Sequence, residues 1–578
     1  MNIYKKYEKF IAIVAVALFV LSLVPILYLT FINRASGDDY SYGAYTRNAW
    51  IGARTLGLIP SIGALFTAIG QTIRQYYIGW QGTWFSIILF ALQPEVFSDQ
   101  AYFIVAPIML LLWIGSTCYL GKEVIGRRFG YSRWNTCLQL IIILFISIQL
   151  VPSTKSSIFW WNGCVHYLVP FAMCQMTLAW ILKYIDTFSF KYLTMISIFM
   201  ALLGGSSYQP ALFVLIVAGY AVIYGICRNR LFSIKTTKDV KDQEYTCGSG
   251  ANIKGYLLLI IPIVLELIGL VISAVAPGNK VRGGEEFGFT IGKAFGTIVL
   301  SFAYGLRDMW TYVKERPLLY IGLVVYIAVV LLGQTTRCVD CDADNNADNN
   351  ADIDSNCIDK NDKLMTRVSL NTGWKIVLVL ASFCLYSAMQ SPAIFANVDV
   401  SRGVLNFNFQ CFVLLMVVVV LTVCPLLYNV YTGREHQKLL SNMQAGKKQP
   451  GLFSNNISNS SASCQKIYKF VGIVVFLIAL FFARHNIKTT TDWVCLEYII
   501  TGQASDYKYQ MDLQTRLLES DEKDVVLPLI NEFQGPLMHM PVIEDKEAWT
   551  NRTVAEFYHK NSTLGMEREE WEKIQSLE

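Results

Sequence analysis

The sequence predicts an all-α polytopic membrane protein with about eleven transmembrane helices, followed by a small α/β region. Three observations carry that expectation. The chain is 54% hydrophobic and only 16% charged over 578 residues, with a mean hydropathy of +0.40, which points to lipid as its main solvent. Its apolar runs recur at lengths that cross a bilayer. Its basic segments fall on one side of the resulting topology. The net charge of +5 is spread over short loops, and no basic, aromatic-interleaved patch suggests a nucleic-acid partner.

The first run, residues 10–31, follows Lys5, Lys6 and Lys9 and reads as an uncleaved span with the N-terminus inside. A cleaved signal would have a shorter apolar region, and Arg34-Ala35-Ser36 is a poor cleavage site. Residues 32–100 are expected to form an outer loop with surface helices. Its segment 59–97, like 292–312, is apolar but broken by Gly, Pro, Gln or Arg, and reads as lying on the outer surface or re-entering it, with part of a span as the alternative for either. Further spans are expected near 101–120, 135–151, 164–184, 191–206, 209–226, 255–276, 318–333, 374–392, 409–430 and 468–484. The basic segments 122–133, 228–254 and 434–469 then lie in the cytoplasm.

Residues 334–372, with the near-repeat Ala343 to Asn350, read as a disordered acidic cytoplasmic loop. A calcium loop starting at Asp342 fails because Ala347 stands where Gly is needed and Ile353 where Glu is needed. Cys338 and Cys341 make half a zinc pattern, with only Cys357 nearby. Most of the fourteen cysteines lie in apolar runs or inside loops, which argues against a disulfide framework. Residues 1–484 thus form the membrane domain, and 485–578 a mixed-charge outside region. There Asp524 to Pro528 reads as a strand and Thr553 to His559 as a helical turn. Asn551 and Asn561 match the glycosylation pattern.

This topology gathers five polar stretches on the outer face: 37–40, 160–167, 206–210 (with Gln209), 276–282 and 397–402. Asp38 and Asp39 sit just beyond the first span. Their mutual repulsion raises one pKa and suits a general base, and the pair can also hold a divalent cation, Mg2+ or Mn2+; a hydrated acidic loop is the simpler alternative. Lys280 and Arg282 follow a Pro-Gly turn at lipid-phosphate depth, where Arg402 can join them, although snorkelling anchors would look the same. His166 suits substrate binding or proton transfer, or an interfacial aromatic belt. Trp160, Trp161 and Tyr167 suit stacking on a sugar ring. Glu266 lies within a span and has no evident partner.

On these residues the chain resembles the GT-C class of membrane glycosyltransferases, which take a sugar from a polyprenyl phosphate. Asp38-Asp39-Tyr40, Trp161-Asn162-Gly163 with Tyr167, Ala276-Pro277-Gly278-Asn279 with Arg282, and Trp549-Thr550-Asn551 with Phe557-Tyr558 are similar to a bacterial family of membrane proteins related to the O-antigen glucosyltransferases. The resemblance implies a multi-pass protein of the bacterial cytoplasmic membrane, with its C-terminus outside. It implies an inverting transfer in which Asp38 or Asp39 deprotonates the acceptor, and Lys280, Arg282 and Arg402 stabilise the departing phosphate. Tyr40, Trp160, Trp161, Asn162, His166, Tyr167, Gln209 and Asn279 would bind substrate. The implied partners are the bilayer, a polyprenyl-phosphate-sugar, and a glycan, lipid or protein acceptor. A transporter or flippase of lipid-linked sugars would instead depend on Glu266. A polysaccharide polymerase or ligase would call for more outer arginines, and a non-catalytic scaffold for none of these groups.

Overall fold

The computed structural model describes residues 3–238, 253–283, 290–347, 372–396, 400–444 and 484–576. It is a helical, multi-pass membrane architecture: eight helices among the described residues are long and apolar enough to span a bilayer. They are α1 (Ile3–Leu29), α5 (Ala101–Arg128), α7 (Trp161–Thr187), α9 (Tyr208–Lys238), α10 (Ile253–Ala274), α13 (Pro317–Ala347), α14 (Gly373–Ala396) and α15 (Arg402–Gln444). Two shorter apolar helices, α6 (Arg133–Gln149) and α8 (Phe190–Leu203), occupy the expected spans at 135–151 and 191–206. The span expected at 468–484 lies almost wholly outside the described residues.

Local chemistry explains many of the boundaries. The Ser132 hydroxyl accepts from the Asn135 backbone at 3.0 Å and caps α6. Phe188, with a φ of 47°, ends α7 in a left-handed turn, and Pro317 opens α13 at the position a helix tolerates best. The loop expected over 334–372 begins later than its composition suggests. Residues 334–347 contain neither Gly nor Pro, and α13 continues through them to Ala347. Cys338 and Cys341 therefore lie on a helix, and no group of three His, Cys, Asp or Glu residues able to hold a metal occurs among the described residues. Nine further cysteines, from Cys118 in α5 to Cys495 in the last described segment, are free.

Between α1 and α5, the outer segment folds as α2 (Asp38–Ala53), α3 (Leu58–Gly79) and α4 (Trp84–Phe90). Residues 292–312 lie within a single helix, α12 (Ile291–Glu315), preceded by the short α11 (Gly278–Gly283). Neither α3 nor α12 is among the helices apolar enough to span.

The last described segment builds the expected α/β unit from α16 (Thr491–Ile500), α17 (Gln503–Glu519), β1 (Asp524–Pro528), α18 (Trp549–Phe557), β2 (Ser562–Met566) and α19 (Arg568–Gln575). The two strands are parallel, with Asp524 opposite Ser562 and Pro528 opposite Met566. Asn551 is buried and holds this unit together. Its amide bonds the Ile543 backbone in both directions at 2.8 Å and the Thr563 carbonyl at 3.0 Å, so it is no glycosylation acceptor.

Hydrogen bonds show that the polar stretches meet at one end of the bundle. Asn33 donates to the Phe159 carbonyl at 2.7 Å, and Ser207 to that of His166 at 2.9 Å. Asn406 joins Ser153 in both directions, at 2.8 and 2.9 Å. The α/β unit docks at the same end, where Thr491 donates to the Ile148 carbonyl and Arg34 pairs with Asp512 at 2.8 Å. At the other end, Ser132 donates to Glu8, and Arg127 and Arg128 share Glu123 and Asp186.

Candidate active site

The site grows from the turn that follows α1. Gly37 takes a φ of 51° just before α2, and a Cβ there would collide with the sulfur of Met540. The Met540 backbone N–H donates to Ser36 Oγ at 2.6 Å, so the distant α/β unit holds the turn in place. Asp38 and Asp39 then fall in the first turn of α2, where unpaired backbone N–H groups favour carboxylates.

The two acids part company at once. Asp39 is fully buried and saturated: Tyr102 OH donates to it at 2.5 Å, the Ser36 N–H at 3.1 Å and the Asn162 N–H at 3.3 Å. Burial pushes its pKa up to about 7, while these three donors oppose the rise. Tyr102 OH accepts in turn from the Trp161 N–H at 2.9 Å, and Trp161 Nε1 donates to the Leu89 carbonyl at 2.8 Å. Asp39 is therefore the hub that joins α2, α5 and the start of α7, and it has no free oxygen to offer a metal or substrate.

Asp38 is partly exposed and makes no hydrogen bond among the described residues. Burial lifts its pKa to about 6, and the charge of Arg282 draws it back. Arg282 forms no ion pair with it among the described residues, which leaves both charges available. The guanidinium is steered instead by Gln81, whose Oε1 accepts at 2.6 Å and whose Nε2 donates to Tyr42 OH at 3.1 Å. It also lies 5.4 Å from the centre of the Trp80 ring.

His166 and Tyr167 lie within the electrostatic reach of the same arginine. His166 Nδ1 bonds Ser86 Oγ at 2.8 Å, and its ring meets Tyr167 edge-on at 4.7 Å. Tyr167 OH bonds Ser401 Oγ at 3.0 Å. Asp38, His166 and Tyr167 thus share the field of Arg282, and the Trp160–Trp161–Asn162 turn is tied to the same neighbourhood through Asp39, so an open carboxylate, a cation and aromatic side chains lie close together.

Other expected site residues lie elsewhere. Tyr40 is buried against Phe557 at 4.9 Å and Tyr558 at 6.0 Å, so it receives the α/β unit rather than a substrate. Asn279 is a structural pin, accepting from the Gly82 N–H at 3.1 Å and donating to the Ser273 carbonyl at 2.8 Å. Lys280 is exposed, its ammonium making no hydrogen bond or ion pair among the described residues, and buried Gln209 makes no side-chain hydrogen bond among them. Arg402 neighbours Lys155, whose pKa burial and that arginine both lower. Residues 397–399 lie outside the described residues.

Sequence reasoning missed Tyr102, Gln81, Ser86, Lys155 and Glu95. Glu95 is 1% exposed, accepts from the Ala35 N–H at 3.3 Å, and is pushed up to about 8 by burial. A carboxylate inside the apolar stretch 59–97 was the available signal for it. No protein-family model, curated protein or solved structure matches this chain, so its site is read from its own residues.

Proposed function

We propose that the chain is a GT-C-like membrane glycosyltransferase that moves a sugar from a polyprenyl phosphate to a glycan, lipid or protein acceptor at the outer face of a bacterial cytoplasmic membrane. In this reading the bundle has eleven spans, with the N-terminus inside and the α/β unit outside. The observation that carries it is the Asp38 carboxylate, unpaired among the described residues and within the field of Arg282, near aromatic side chains at the polar end of a membrane bundle.

In the transfer, Asp38 takes the proton of an acceptor hydroxyl as that oxygen bonds to the anomeric carbon. The bond from that carbon to the phosphate oxygen breaks, and its electron pair leaves with the lipid phosphate. Arg282 stabilises the charge gathering there. A pKa of about 6 leaves Asp38 ionised at neutral pH and still basic enough to help. Asp39 positions Asp38 without touching substrate. A divalent cation, if the reaction uses one, would take Asp38 and donor phosphate oxygens as ligands.

The test is sugar release and transfer from a radiolabelled polyprenyl-phosphate-sugar panel by purified protein. Asp38→Asn is expected to lower turnover about 100-fold or more, and the wild-type rate should show an acidic limb near pH 6. Asp39→Asn is expected to lower it less and to reduce thermal stability. Full activity in Asp38→Asn would sink the proposed chemistry. One observation favours a lipid-linked-sugar transporter or flippase instead: both carboxylate oxygens of Glu266, in α10, are buried and without a partner among the described residues. That reading predicts that Glu266→Gln abolishes function while Asp38→Asn does not.

A further inference from the structure

We propose that the Asn162 carboxamide selects the donor sugar, its N–H and C=O bonding two neighbouring hydroxyls of the hexosyl ring. This rests on the glycosyl-transfer reading above and adds the group that would read the sugar. Asn162 is 3% exposed, yet neither Nδ2 nor Oδ1 has a hydrogen-bond partner among the described residues. Every other buried asparagine among the described residues uses its amide: Asn33, Asn135, Asn279, Asn406, Asn408 and Asn551 each bond through at least one end. A buried amide with both ends unmade is costly, and such groups persist where something outside the fold completes them.

Its position says what that is. The Asn162 backbone N–H is anchored on Asp39, which fixes the residue at the first turn of α7 and beside the acidic pair. His166, four residues on, lies on the same helix face within reach of Arg282. Trp160 and Trp161 flank it half-buried, and Trp160 Nε1 is a second buried donor without a partner among the described residues. An uncharged amide next to a carboxylate is a poor receptor for phosphate, whose place is beside Arg282. One donor and one acceptor fixed side by side, with indole faces nearby, match a neutral vicinal diol on a ring with an apolar C–H face.

The test measures binding by thermal shift of the full chain in detergent with citronellyl-phosphate-glucose, -galactose and -mannose and their single-deoxy analogues. Wild type is compared with Asn162→Leu and Asn162→Ala. Without ligand, Asn162→Leu should unfold at or above the wild-type temperature, since it removes two unpartnered polar atoms. Wild type should discriminate by roughly tenfold or more against loss of one hydroxyl of its preferred sugar, and both variants should lose that discrimination while binding the intact donor at least about tenfold more weakly. Variants that keep wild-type discrimination would overturn the assignment, as would a leucine variant that unfolds several degrees lower. Wild type that binds no donor at all would instead overturn the glycosyl-transfer reading.

Discussion

Adjacent acids can do opposite work. Asp38 and Asp39 are neighbours in sequence, but successive helical positions point about 100° apart. Only Asp39 faces Tyr102, 63 residues further on. That distance is why the sequence shows an acidic pair and not the division of labour within it. The same geometry separates Lys280 from Arg282, two positions apart on α11: only Arg282 reaches Gln81. Glu95 offers a test at this scale. Its folded pKa of about 8 exceeds its ordinary 4.5 because burial outweighs the help of Arg34 and the Ala35 N–H. Between those values the folded chain keeps a proton that the unfolded chain releases, so stability falls as pH rises through that window. Glu95→Gln should remove the slope, matching wild type near pH 4 and melting about 2–4 °C higher at pH 8. Parallel melting curves for the two proteins across pH 4 to 8 would refute the assignment.

Among elements, the contact between α2 and α18 does most to shape the site. Phe557 is fully buried between Tyr40 and Tyr558, and the Arg47 guanidinium lies 4.6 Å from its ring centre. Arg47 also donates to the Glu95 carbonyl and pairs with Asp99, each at 2.7 Å. Phe557→Ala should cost about 3–5 kcal/mol of local stability. It should lower activity by loosening the turn at Gly37, with the spans still inserted, as limited proteolysis of the α/β unit would report. The strand at Asp524–Pro528 was legible because a short apolar run with two valines ends at a proline. The helix at 549–557 was legible only in its second half, since Ala548 at its N-cap carries no capping side chain to mark the start. The site's supporting cast was not legible. Tyr102 reads as one more aromatic at the head of a span, and Gln81 as a loop residue, until the chain folds.

For the whole molecule, the apolar runs and the uneven placement of basic residues sufficed to anticipate the bundle. The gathering of polar stretches at one end was legible from counting spans. The length of α13 was not, because composition does not reveal how far a helix outlasts the membrane. Orientation remains a proposal with a direct check. Alkaline phosphatase fused after residue 578 should be active, and the same reporter after Lys122 should be silent. The reverse pattern would place the cleft in the cytoplasm and rule out the outer-face reaction.

The bond between Ser36 and Met540 joins residues 504 positions apart. During synthesis, the turn bearing the acidic pair emerges 504 positions before the residue that restrains it. A nascent chain, or one cut short before Met540, would carry its carboxylates on an unbraced turn. The shape of that turn would then be set only once a segment far downstream has been made and has folded back onto it.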